Sequence, residues 1–222
     1  MMDLLGALPG AVAQGLVWGV MAIGVYITYK ILDIADLTVD GTICTGAAVC
    51  TMMMLSGQSP WLSILGAIAA GALAGVITGL LHVFLGIPAI LAGILTQMTL
   101  WSVNLKILGK ANQAISARNT TVLLSQMNIP HALIVLAVVG VLTVAVLYLF
   151  FGTELGCSIR ATGCNQSMSR AQGINTNFTK VTGLAISNAI VALSGALLCQ
   201  YQGYTDINMG RGAVVIGLAA VV

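Results

Sequence analysis

Charge is what this sequence has least of. It holds eight Lys and Arg and six Asp and Glu in 222 residues, 6% of the chain against 59% hydrophobic. An ordinary soluble domain is charged at about a quarter of its positions, so with a mean hydropathy of +1.03 a water-soluble fold is excluded. The formal net charge of +2 is too small to mark a nucleic-acid partner. No Gly-x-x-x-x-Gly-Lys-Ser/Thr run is present to cradle nucleotide phosphates. The five cysteines lack metal-ligand spacing. Cys44, Cys50 and Cys199 lie in apolar stretches as small filler, and Cys157 and Cys164 share a polar stretch with too few further ligands for zinc. No metal or cofactor is expected. His82 and His131 stand near the ends of apolar runs without an acid or base partner, so no catalytic set is expected. Met1-Met-Asp-Leu-Leu carries no Lys or Arg and leads straight into a long apolar run, so no cleavable leader is expected.

What is present is long apolar runs. A spanning helix needs roughly 20 apolar residues, whereas transmembrane strands alternate over roughly ten. Ala132 to Phe151 is continuous rather than alternating. The expected fold is therefore all-α: a polytopic transmembrane helical bundle of about six full spans in one domain over residues 1–222. The spans run from about Ala11 to Tyr29, Ile43 to Leu55, Trp61 to Phe84, Ala89 to Leu105, His131 to Phe151 and Val181 to Gln200. The second is short, so part of the acidic stretch before it should enter the membrane as well. Gly212 to Val222 is apolar but too short to cross, and it is expected to be the start of a segment that continues beyond this chain.

Within the third span, Ala67, Gly71, Gly75 and Gly79 recur every four residues on one helix face, where small side chains allow another helix close approach. Either a subunit contact or packing within the chain would use such a face. Thr96, Gln97 and Asn104 in the fourth span and Asn188 in the sixth could line a solute pathway or join helices by hydrogen bonds. Asp33, Asp36 and Asp40 have two readings also: capping of the second helix, with Asp36 or Asp40 as the cap, or an ion relay.

One polar stretch interrupts the apolar pattern, Thr153-Glu-Leu-Gly-Cys-Ser-Ile-Arg-Ala-Thr-Gly-Cys-Asn-Gln-Ser-Met-Ser-Arg-Ala-Gln-Gly-Ile-Asn175. It must stand in water at one membrane face, and its length suits a docking surface for a soluble partner. Asn165 is a good N-cap and Gly173 a good C-terminal stop, which delimits about two helical turns from Gln166 to Gln172. Met168 and Ala171 would be the apolar contacts of that helix, and Arg170 the charged one. Placing this stretch inside the cell puts Lys30, Arg160, Arg170 and Lys180 inside and Lys106, Lys110, Arg118 and Arg211 outside, a tie under the positive-inside rule. Asp3 before the first span and Lys30 after it favour this orientation.

Four blocks in order now carry a resemblance. They are Ile34-Ala-Asp-Leu-Thr-Val-Asp-Gly41, Gly75-Val-Ile-Thr-Gly-Leu-Leu81, Pro88-Ala-Ile-Leu-Ala-Gly-Ile-Leu-Thr96, and the loop pattern Thr153-x-x-Gly156, Ala161-x-Gly163-x-Asn165, Arg170-Ala-x-Gly173-Ile174-Asn175. In this order the chain resembles the permease subunits of bacterial ABC importers, in the branched-chain amino-acid, ribose and autoinducer superfamily. Thr78 stands where that family carries Asn. The family also has a further N-terminal helix and several more helices beyond residue 222. Within it the chain looks most like a compact branch described as tryptophan or tyrosine importers.

The resemblance implies a multi-pass protein of the bacterial plasma membrane, working as a homodimer. It implies a separate cytoplasmic ATPase subunit and an extracellular substrate-binding lipoprotein as partners, and no enzymatic activity in this chain. It also implies a cytoplasmic coupling loop at about 153–180, with Thr153, Gly156, Arg160, Gly163, Asn165, Met168, Ser169, Arg170 and Gly173 at the ATPase contact. A secondary transporter would be the alternative, and would show paired interrupted helices in two repeats.

Overall fold

In the computed structural model the described residues are 2–115, 124 and 129–222. Arg118, placed outside by the charge count above, falls beyond them. Continuous apolar runs satisfy their backbone polar groups internally by forming helices, the only open-ended solution in hydrocarbon. Five helical stretches are long and apolar enough to cross a membrane: Leu8–Ile31, Pro60–Phe84, Ala89–Leu108, Ile129–Phe151 and Thr176–Gln202. The first comprises α1 (Met2–Tyr26) and a π-helical turn, Ile27–Ile31. The other four are α3, α4, α5 and α8. Between α1 and α3 lies α2 (Val39–Leu55), a helix of 17 residues. It is the short second span of the sequence reading, and it can be short because it is enclosed by its neighbours instead of facing lipid.

α8 is the hub. It packs against α1, α2 and α3, most extensively α3. The α3 face of small residues makes that contact: a Cβ on Gly71 would overlap Ala192 and Asn188, one on Gly75 would overlap the Leu184 carbonyl, and one on Gly79 would crowd Val181. The four-residue repeat therefore lies against α8 of the same chain. α5, by contrast, presents Val138, Val141, Val146 and Leu149 outward.

Two polar ends bracket the bundle. At one, α6 (Glu154–Cys164) and α7 (Gln166–Ala171) lie between α5 and α8. At the other, β1 (Asn112–Ala114) pairs antiparallel with β2 (Tyr204–Asp206), Gln113 opposite Thr205. After β2 the chain folds back along α2: the Gly210 N–H meets Cys44 Sγ at 3.2 Å, and α9 (Ala213–Val221) follows.

Candidate functional site

A break of irregular chain separates α1 from α2. The π-turn ends with Leu32 N–H donating to the Ile27 carbonyl at 3.0 Å. Asp33 then takes a left-handed backbone, φ 57°, which Asp tolerates better than most residues. Residues 32–38 rise as irregular chain into the bundle and end beside Asn188. That residue lies about 18 Å along the 27-residue α8 at 1.5 Å per residue, near its middle. Backbone this irregular is tolerated at such depth only when enclosed by protein.

A buried polar network supplies the enclosure. Asp36 accepts from the Thr38 N–H at 2.8 Å and from Asn188 Nδ2 at 2.8 Å. Thr42 Oγ1 donates to Asn188 Oδ1 at 2.7 Å, and the Thr38 and Thr78 hydroxyls meet at 2.9 Å. The irregular segment, α2, α3 and α8 are thereby tied together, with Thr78 taking part. Asp36 bonds the N–H of Thr38, the residue that opens α2. Asp40 departs from the sequence expectation. Its two oxygens accept from Gly212 N–H at 3.1 Å and Val214 N–H at 2.8 Å, so it caps α9 and not α2. Carboxylate at a helix N-terminus is favoured by the dipole and the free N–H groups.

Beside Asp40 is a cavity of about 510 Å³, lined by Gly41 and Cys44 of α2, Gln97, Met98, Trp101, Ser102 and Asn104 of α4, and Ile207 and Arg211. Asn104 is fully buried, and its Nδ2 reaches toward the Gly41 carbonyl at 3.5 Å. Its Oδ1 has no hydrogen-bond partner among the described residues. Of the four pathway candidates, Gln97 and Asn104 line this cavity. Thr96 bonds back to Ala92 in its own helix at 2.9 Å, and Asn188 belongs to the polar network. Sequence reasoning missed Trp101, Ser102 and Arg211 as lining residues. Arg211 was a visible signal, a cation in a polar link next to an apolar run, but nothing in one dimension pointed it at α4.

The polar stretch contains two helices where the sequence reading expected one, and α8 begins at Thr176, inside the expected loop. Thr153 opens α6, its Oγ1 accepting from Gly156 N–H at 3.3 Å. Gly156 sits so close to the end of α5 that a Cβ would overlap Phe150 and Phe151, and a Cβ on Gly163 would overlap the Ile31 carbonyl. Arg160 Nη2 donates to the Phe151 carbonyl at 2.9 Å, and Thr162 meets Thr179 at 2.9 Å. Thr153, Gly156, Arg160 and Gly163 thus bond or pack within the chain, fixing α6 to α5, α8 and the break after α1.

α7 begins at Asn165, whose Oδ1 accepts from Met168 N–H at 3.0 Å, and ends before Gly173 with φ 83°. Ser169 is buried, its hydroxyl on the Asn165 carbonyl at 2.9 Å. Met168 is 47% exposed, and Arg170 donates through Nε to Thr176 Oγ1 at 2.9 Å while remaining exposed.

Residues 8–222 match the model of the branched-chain amino acid transport system permease component. The chain belongs to that permease family. It is 40% identical over 209 residues to a tyrosine transport system permease protein of Clostridioides difficile, covering 94% of this chain and 70% of the relative. It is 34% identical over 212 residues to an uncharacterized protein of Rickettsia prowazekii, covering 96% and 74%. It is 28% identical over 193 residues to the autoinducer 2 import system permease protein LsrC of an Enterobacter species, covering 84% and 54%. No solved structure matches. The permease is accordingly a multi-pass protein of the bacterial cell membrane and a component of an ABC-type transport system.

Proposed function

We propose that this permease forms, as a homodimer, the translocation pathway of an importer for a small solute such as an amino acid. An extracellular binding protein delivers the solute at the β1–β2 end. A separate ATPase docks on α7 at the opposite, cytoplasmic end. The observation that carries this reading is the mechanical continuity from α7 to the centre of the bundle. α7 is fastened through Arg170 and Thr176 to α8, and α8 carries the Asn188 network at the break before α2. Displacement of α7 by a nucleotide-driven partner would therefore be passed to the segment beside the cavity, and two conformations biased from opposite ends give alternating access. α2 and α9 both start at mid-depth, as interrupted helices of secondary transporters do; that rival requires uptake with no ATPase partner.

The test is crosslinking in the assembled transporter. With the native cysteines replaced, of which Cys157 and Cys164 are exposed, Met168→Cys should crosslink to the co-expressed ATPase. Arg170→Glu should still insert but lose ATPase co-purification, because a wrong-sign contact costs several kcal/mol. Thr176→Val, which removes only the bond to Arg170, should retain it. Crosslinking solely to the extracellular binding protein would invert the orientation, and ATPase binding unaffected by Arg170→Glu would remove α7 from the interface.

A further inference from the structure

A cleft of about 820 Å³ opens between the first span and α5, toward the end of the bundle that carries α6 and α7. Its walls are apolar: Ile23, Ile27 and Ile31 on one side, Val144 and Leu147 on the other. From Val144 to Phe151 it follows α5 for about 11 Å at 1.5 Å per residue. It therefore fits within one leaflet, whose hydrocarbon is about 15 Å deep. Tyr26 and Tyr148, one on each wall, are exposed, as aromatic rings at a membrane–water interface are. Where the apolar walls end, Arg160 lines the cleft. Both of its bonds among the described residues run through Nη2, to the Phe151 carbonyl at 2.9 Å and to Cys157 Sγ at 3.3 Å. They pin the guanidinium at the end of α5 and leave the Nε and Nη1 donors of its fork for a further acceptor. Glu154 does not line the cleft. At this end of the bundle Lys30, Arg160, Arg170 and Lys180 outnumber Asp33 and Glu154, so the local field favours an anion.

We propose that this cleft holds an anionic phospholipid, its phosphate on Arg160 and an acyl chain between the first span and α5. A guanidinium fork and a phosphate make charge-assisted, bidentate contacts, and a basic site between spans at a membrane face suits such headgroups. Selection comes from the headgroup. A zwitterionic lipid fills the apolar walls equally well but carries a cation of its own toward Arg160. A soluble phosphate meets the guanidinium but leaves the walls empty. Because Arg160 joins α6 to the end of α5, a bound lipid also ties α6 to the bilayer. The site stands whether or not an ATPase docks on α7.

The test is lipid retention by the purified full chain in detergent, counted by native mass spectrometry, with dioleoyl phosphatidylglycerol against dioleoyl phosphatidylcholine. The wild type should hold the phosphatidylglycerol about fivefold more tightly, the contribution of one Arg near an anionic headgroup. Arg160→Gln should erase that preference, and Arg160→Lys should keep most of it, which separates charge from the anchoring of α6. Lys110→Gln, at the opposite end, should leave it unchanged. Val144→Trp fills the trough from an exposed position and should weaken retention of both lipids. Glycerol 3-phosphate should displace neither. Equal retention of the two lipids by the wild type, a preference that survives Arg160→Gln, or displacement by glycerol 3-phosphate would overturn the site. So would a disulfide-linked dimer through Val144→Cys in native membranes, with the native cysteines replaced, because the cleft would then belong to a second copy of this chain.

Discussion

α5 and α8 are both membrane-spanning helices, yet 6% of the most apolar stretch of one is buried in the chain against 67% of the other. The buried one is the more polar. α8 carries Ser187, Asn188, Ser194 and Gln200, all buried, whereas α5 is mostly Val, Leu, Ala and Phe. In water the more apolar helix would be the core. In lipid the apolar helix gains nothing by hiding, while a helix with hydroxyls and amides must find partners, so polarity and small residues mark the centre. Ser187 and Ser194 illustrate this, donating to the Gly24 and Val17 carbonyls of α1 at 2.7 and 2.8 Å.

That contrast can be broken most severely at the α3–α8 contact. Gly75→Leu places a side chain on the Leu184 carbonyl, where neither backbone can yield. Overpacking of this kind costs about 3 kcal/mol or more, and the expected outcome is loss of a monodisperse peak in detergent chromatography. A native-like elution profile would show that α8 can retreat from α3.

A smaller loss is expected at the network. Asn188→Leu takes one of two hydrogen-bond partners from each of Asp36 and Thr42 and should lower stability by about 1–3 kcal/mol, read as a reduced thermal midpoint in nanodiscs. Asp36→Asn should come closer to wild type, because its carbonyl oxygen can still accept from one of the two donors. An Asp36→Asn protein of unchanged stability that no longer transports would indicate that the negative charge, not the hydrogen bonding, is used.

The smallest effect belongs to α5. Val141 is 70% exposed and Leu142 59% exposed. Val141→Ala and Leu142→Ala should shift stability by less than about 0.5 kcal/mol in the same assay, as at other surfaces. A large drop from either would mean that this face meets protein, a second copy included, and not lipid.

Much of this architecture was readable along the chain. The apolar runs, the Gly71-Gly75-Gly79 face and the bounds of α7 at Asn165 and Gly173 each rest on local pattern, and local pattern determines helix, cap and close approach. α6 was not read because Glu154 to Cys164 mixes small, polar and apolar residues without a long apolar face. Its helix is held by Thr153, Arg160 and contacts from Gly156 and Gly163 to other elements.

By itself, then, the sequence determined that the chain is a helical membrane protein whose spans are interrupted by one long polar stretch, because helix length, hydropathy and capping act within a few turns. Only the tertiary structure decided that Asp36 meets Asn188, that Asp40 caps α9, and that Asn104 and Arg211 share a cavity. These partners come from segments far apart in the chain. In a bilayer a polar side chain takes whichever partner the folded neighbours bring within reach, so its role is set by packing and not by its place in the sequence.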